Sequence, residues 1–249
     1  KNRYWLFPCI HNWEAFAQRV RTICKLILLA ISGLNKDIRL FSVDEKTGIQ
    51  ALERKSQPLR PGRDRRVEYE YKRHGTTTLM AAQDVATGQL ISYRIHPTRT
   101  EPDFLCFIQR TTDVLQEGQQ AVFLVDQLNT HMSASLVEWV ASQIGYVGDL
   151  GVKGKSGVLK SKSTRKAFLE VDHHAIRFLF TPKHCSWLNP IENWFGHLQR
   201  KALNHQSFDS IESLTARIEN FIEYYNSYLA KPLKWKFKGF DRKKANTLY

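Results

Sequence analysis

The chain has 249 residues, 42% hydrophobic and 24% charged, which suits one large globular domain with a proper core. Its 37 Lys and Arg against 24 Asp and Glu give a formal net charge of +13 and favour a polyanionic partner. The greasiest stretch, 23–31, contains Lys25 and falls far short of the roughly 20 residues that cross a bilayer, which argues against a membrane.

Trp13, Phe16, Val20, Ile23, Ile27 and Ile31 recur at helical spacing behind Asn12 as N-cap, and Gly33 is placed to stop that helix. Residues 40–44 read as a strand ending in Asp44, followed by a loop over 54–66 rich in Pro, Gly and Arg. Further strands are predicted at 67–72, 78–85 and 90–95, the last two joined at Thr87-Gly88 and paired antiparallel. Thr100-Glu101-Pro102-Asp103 reads as an N-cap with proline in the first turn, opening a helix to about Gln116 with Phe104, Leu105, Ile108 and Leu115 inward.

A buried strand over 121–126 ends in Asp126, and a helix over 133–144 turns Leu136, Val137, Val140 and Ile144 inward. Periodicity then fades, and 151–166 carries six Lys or Arg and no acid, the pattern of a flexible basic insertion. After a short strand at 176–180, Asn189 as N-cap and Pro190 start the helix that bears Glu192. The last helix opens on an Asp209-x-x-Glu212 capping box and keeps Ile211, Leu214, Ile218, Phe221, Ile222 and Tyr225 on one face. The tail over 231–244 holds seven Lys or Arg against Asp241, with Trp235, Phe237 and Phe240 interleaved.

This order is that of an α/β, ribonuclease-H-like fold: a mixed five-stranded sheet flanked by helices, with a basic insertion before the last strand. In that fold the ends of the first and fourth strands lie side by side. The chain divides into a linker and amphipathic helix (1–36), a catalytic domain (37–230, insertion at about 145–175) and a basic aromatic tail (231–249). It opens at Lys1 without methionine, which predicts an upstream domain beyond this sequence.

Asp44, Asp126 and Glu192 then offer three hard-oxygen ligands to divalent cations such as Mg²⁺, each of which takes one or two protein carboxylates and leaves room for water and phosphate. Each acid also has a plainer reading. An aspartate closing a strand commonly forms a turn, and Glu192 as third residue after Asn189 would reach back to the cap. The helix start favours an ionised Glu192, and Gly196 leaves space beneath it. His131 and Asn129 are candidates to orient a ligand or phosphate from behind Asp126, the alternative for His131 being an exposed loop histidine. His173, His174, His184 and Cys185 do not have the spacing of a structural zinc site. Cys9, Cys24, Cys106 and Cys185 include no Cys-x-x-Cys pair, which points to a reducing cytoplasm.

The segments Ser42-Val43-Asp44-Glu45-Lys46-Thr47-Gly48, Val125-Asp126-Gln127-Leu128-Asn129-Thr130-His131 and Lys183-His184-Cys185-Ser186-Trp187-Leu188-Asn189-Pro190-Ile191-Glu192-Asn193-Trp194-Phe195 resemble the three catalytic blocks of DDE transposases. Among these they look like the mariner-like superfamily in its bacterial insertion-sequence branch, over roughly 37–249. Gly151-Val152-Lys153-Gly154-Lys155-Ser156-Gly157 and Lys231-Pro232-Leu233-Lys234-Trp235 resemble that branch too, and Arg3-Tyr4-Trp5-Leu6 looks like the trailing edge of its upstream helix-turn-helix region. Gln127 stands where the family commonly has Asn, and Glu192 follows Asp126 by 66 positions, longer than the usual separation, with the insertion supplying the excess.

The resemblance implies cut-and-paste transposition of double-stranded DNA by a homodimer in the bacterial cytoplasm, associated with the nucleoid when on DNA. Transposon ends are hydrolysed and the freed 3′-hydroxyl attacks target DNA, typically at TA. Asp44, Asp126 and Glu192 are then the catalytic and metal-binding residues for two divalent ions, Mg²⁺ with Mn²⁺ as substitute. Phosphate contacts are expected from Arg60, Arg63, Arg65, Arg66, Lys153, Lys155, Lys160, Lys162, Lys234 and Lys236, with base stacking by Trp235 or Phe237. A nuclease that only hydrolyses nucleic acid and a domesticated, non-catalytic DNA-binding protein are the alternatives.

Overall fold

The computed structural model describes residues 10–54 and 70–240. Five strands, β1 (Ile38–Glu53), β2 (Lys72–Asp84), β3 (Leu90–His96), β4 (Gln120–Val125) and β5 (Ile176–Phe180), form one sheet in the order β3-β2-β1-β4-β5. β1, β2 and β3 are antiparallel neighbours, while β4 lies parallel to β1 and β5 parallel to β4. The helices are α1 (Trp13–Ser32), α2 (Glu101–Thr112), α3 (Ala134–Gln143), α4 (Lys162–Leu169), α5 (Ile191–Leu198) and α6 (Ile211–Tyr224). This is the expected ribonuclease-H-like architecture.

The unbroken apolar run of β4 follows from cover on both faces. Ala121, Phe123 and Val125 join Phe41, Val43 and Phe178 beneath α2, α3 and α4, whereas Val122 and Leu124 join Leu40 beneath α1. Ile49, Ala51, Leu79 and Ala81 form a further core with α5 and α6. No helix among the described residues is long and apolar enough to cross a membrane.

Strand β1 does not end at Asp44. Its pairing with β4 stops at Ser42↔Leu124, but its pairing with β2 continues to Glu53↔Lys72, across a register shift at Gly48 (φ 67°). Apolar continuity therefore marks only the part flanked on both sides. Of the predicted strand at 67–72, residues 67–69 lie outside the described residues, 70 and 71 are not in a strand, and Lys72 opens the long β2.

Helix α1 has the predicted ends: Asn12 Oδ1 accepts from the Ala15 N–H at 2.9 Å, and Gly33 takes the left-handed conformation. Thr100 and Asp103 form a reciprocal capping box on α2, which stops at Thr112 and buries Phe104, Phe107, Ile108 and Thr111. The predicted Leu105 and Leu115 pack only at that core's margin. Helix α6 is capped by Ser210 with Ser213, one position beyond the expected Asp209 and Glu212 pair.

The insertion at 145–175 is a packed turn-and-helix unit, which corrects the expectation of a flexible loop. Leu159, Phe168 and Leu169 are buried with α3 and β5. The buried Arg165 guanidinium donates to the carbonyls of Met132 at 2.6 Å and Leu159 at 3.0 Å, pinning α4 to the turn after β4. Backbones cross closely at Gly151, where a Cβ would lie 2.3 Å from the Ser156 carbonyl oxygen. Tight turns plus one eight-residue helix are too short to show a periodicity.

Candidate active site

Continuing the β1–β4 register two residues past Ser42↔Leu124 brings Asp44 level with Asp126. Strand alternation turns Asp44 to the same face as Ser42 and Glu45 to the opposite one. On the Ser42 face lies α5. The buried Ser42 hydroxyl donates to Asn189 Oδ1 at 2.5 Å and accepts from the Ile191 N–H at 2.8 Å. Asn189 Nδ2 donates to the Val43 carbonyl at 2.9 Å and reaches Asp44 Oδ2 at 3.4 Å.

Asn189 is thus not the N-cap of α5; Pro190 is, without a side-chain cap bond. A fully buried amide must find partners, and β1 supplies them. Glu192 becomes the second helical residue. Its carboxylate is exposed, with no capping bond among the described residues, and stands at the positive end of α5. The space beside Gly196 is taken by Arg200, whose Nη1 would lie 3.0 Å from a Cβ there.

His131 is completely buried, which corrects the reading of an exposed loop histidine. Its Nδ1 lies 2.8 Å from Asp126 Oδ1 and its Nε2 3.0 Å from Glu45 Oε1, with the ring 4.3 Å from that of Phe104. Burial opposes a charge on the imidazole, but hydrogen bonds and attraction from Asp126 and Glu45 prevail and push it up to about 10. Burial likewise opposes ionisation of Asp126, yet the bond from His131 and its charge hold that carboxyl below its ordinary value. Glu45, with a side chain 3% exposed, was not anticipated. The available signal was a carboxylate two residues past the apolar Val43, on the same inward face of the strand, which needs a cationic partner.

Asp44 is pushed up to about 7 by burial, together with repulsion from Asp126, Glu45 and Glu192 and against the bond from the Glu45 N–H. Asp44 therefore feels both of the other predicted acids. Their hard oxygens suit Mg²⁺ or Mn²⁺, and a divalent cation would relieve this repulsion. Among the described residues no three His, Cys, Asp or Glu side chains draw together tightly enough to cage an ion by themselves. Water and phosphate oxygens would complete the coordination.

Asp44 binds its proton in the folded chain up to about 7, but only up to about 3.9 when unfolded. The metal-free fold therefore loses stability as pH rises through that window. Thermal melts at pH 5.5 and 8 are expected to show this loss relative to Asp44→Asn, on the order of 2 kcal/mol. Mg²⁺ should raise the wild-type melting temperature more at pH 8 than at pH 5.5.

Of the other candidates, Asn129 Oδ1 accepts from Lys162 Nζ, which brings the insertion to the loop behind Asp126. Gln127 Nε2 donates to the Thr181 carbonyl at 2.8 Å, so its extra methylene tethers the chain after β5. Lys155 and Lys160 are exposed, and Lys153 lies 3.9 Å from Glu101. Arg60, Arg63, Arg65 and Arg66 lie outside the described residues.

Residues 231–240 form an irregular strap. Leu233, Trp235, Phe237 and Phe240 pack into the core under α1, while Lys234 and Lys236 face outward. Phe240 lies 5.2 Å from Trp13 and Phe237 5.6 Å from Trp187, and Trp235 Nε1 donates to the Phe237 carbonyl at 2.7 Å. Both rings are half-buried against the protein, which leaves only part of each for base stacking.

The family model described as DDE superfamily endonuclease matches residues 39–215. The chain belongs to the DDE endonuclease superfamily. The match spans all three acids and the elements that carry them. Among solved structures, this DDE chain is similar to the Mos1 mariner paired end complex with Mn, at 16% identity and TM-score 0.51, over 93% of this chain and 60% of that one. The Mos1 Strand Transfer Complex aligns at 17% identity and TM-score 0.50, over 91% and 61%. The Mos1 transposase paired-end complex with left transposon end aligns at 16% and 0.51, over 93% and 60%. At such identities the likeness establishes a shared fold. The chain spans about 60% of the length of the Mos1 chain it matches. Comparison with curated protein sequences gave no match.

Proposed function

We propose that this chain is the catalytic part of a DNA transposase, which cleaves transposon ends and joins the freed 3′-hydroxyl to target DNA. The observation that carries this reading is the placement of Asp44 level with Asp126, with the helix of Glu192 lashed to β1 through Ser42 and Asn189. Asp44 and Asp126 would bind metal jointly and Glu192 would complete one site. Two divalent ions there supply activation of the attacking oxygen and stabilisation of the leaving one. The manganese in the Mos1 paired end complex and the existence of a Mos1 strand transfer complex support Mg²⁺ or Mn²⁺ as cofactor and DNA as substrate. The paired ends of those complexes support a homodimer. We place the protein in the insertion-sequence branch and in the bacterial cytoplasm from its motifs.

Joining of a pre-cleaved transposon end to a plasmid in Mg²⁺, absent with Glu192→Gln, is the deciding assay. Hydrolysis without joining would leave only a nuclease.

Lys162, Lys234 and Lys236 are proposed phosphate contacts. Replacing all three by Gln should reduce the slope of log affinity against log salt by about 2–3, since each phosphate contact contributes about 0.9. An unchanged slope would remove them from the interface.

A further inference from the structure

Glu45 touches both aspartates by different routes. Its backbone N–H donates to Asp44 Oδ1 at 2.8 Å, and its carboxylate holds His131, which in turn holds Asp126. Asp126 Oδ1 accepts from the Leu128 N–H at 2.9 Å and stands 2.8 Å from His131 Nδ1 as an ion pair, the same nitrogen lying 3.3 Å from the Asp126 backbone carbonyl oxygen. Among the described residues Oδ2 receives none. The Asp126 carboxylate is thereby clamped by one oxygen and offers the other.

We infer that Glu45 and His131 are positioning residues that orient the Asp126 carboxylate for a divalent cation, and that Glu45 sets Asp44 and Asp126 in common register. This rests on the proposed metal-binding role of Asp126.

Two observations and one general physical consideration support it. The chain from Glu45 through His131 to Asp126 links β1 to the turn after β4, the two segments that must agree in position for both aspartates to serve one site. The His131 ring is fixed on a third side by Phe104 of α2, which restricts its rotation. Finally, buried charges of this kind contribute little net stability compared with apolar packing, so stability alone gives no reason for them among Phe104 and its neighbours. Carboxylate ligands with a fixed hydrogen-bond partner behind them lose metal affinity when that partner is removed, typically by 10–100-fold.

The test is direct Mn²⁺ binding to the DNA-free chain, by calorimetry and by electron paramagnetic resonance, in wild type, His131→Asn, Glu45→Gln and Asp126→Asn. An Asn at 131 cannot bridge both carboxylates, whereas a Gln at 45 keeps an acceptor but loses the charge. His131→Asn should weaken Mn²⁺ binding 10–100-fold and Glu45→Gln by a smaller factor, with Mg²⁺ half-saturation of DNA cleavage shifting in parallel and the rate at saturating metal changing less. Should His131→Asn fail to fold, Glu45→Gln decides the matter by the same readouts. Wild-type Mn²⁺ affinity in the folded variants overturns the inference. Wild-type affinity in Asp126→Asn overturns the underlying assignment of the ligand instead.

Discussion

Asp44→Asn is expected to lower the rate of DNA cleavage in Mg²⁺ by about 10³-fold or more, roughly 4 kcal/mol of barrier, because it would remove a charged ligand of the proposed metal site. The same substitution should make the metal-free protein more stable at pH 8. It deletes a carboxylate that burial and three neighbouring acids hold at about 7. Opposite signs on activity and stability distinguish a functional acid from a turn-forming one, whose loss would lower stability and leave chemistry alone. Single-turnover cleavage and calorimetry of one preparation provide both numbers, and cleavage at the wild-type rate would remove Asp44 from the site.

Asn189→Ala should show the second large effect, on stability first. It strands the Ser42 hydroxyl and the Val43 carbonyl, both within the core, and frees the start of α5 from β1. Leaving these groups unsatisfied costs about 2–4 kcal/mol, a fall of about 5–15 °C in melting temperature for a domain of this size. Cleavage should fall as well, because Glu192 is carried on the helix that this contact secures. Ser42→Ala removes the other half, so the two changes should combine less than additively by about 1 kcal/mol. Strict additivity in the double-mutant cycle would mean that the contact does not couple the two blocks.

Much of the architecture was legible from local pattern. The helical stripe from Trp13 to Ile31 with its Asn12 and Gly33 ends, the capping box at Thr100, and the short strand Ile176–Phe180 all appeared as expected, since each reports on its own neighbours in sequence. The three candidate acids were singled out in the same way, by the segments that precede them. The misreadings share a cause. Asp44 looked like a strand end because apolar continuity tracks two-sided cover, not hydrogen bonding with β2. The segment over 145–175 looked loose because turns that close on their own carbonyls carry no period. The packing of Trp235 and Phe237 was not visible either, because nothing near them in sequence reveals α1 beneath.

By itself, then, the amino-acid order determined most of the element types and the sheet's composition and singled out the candidate acids, because propensity, period and capping act over a few residues. Only the tertiary structure decided what those acids touch. Asn189 became a tie to β1 instead of a cap, and Glu45 and His131 were drawn into one buried chain behind Asp126. These partners lie 86 residues or more apart along the chain for Glu45 with His131 and for Asn189 with β1. A buried polar group takes whichever partner the fold brings within reach, and that choice is made in space, not along the chain.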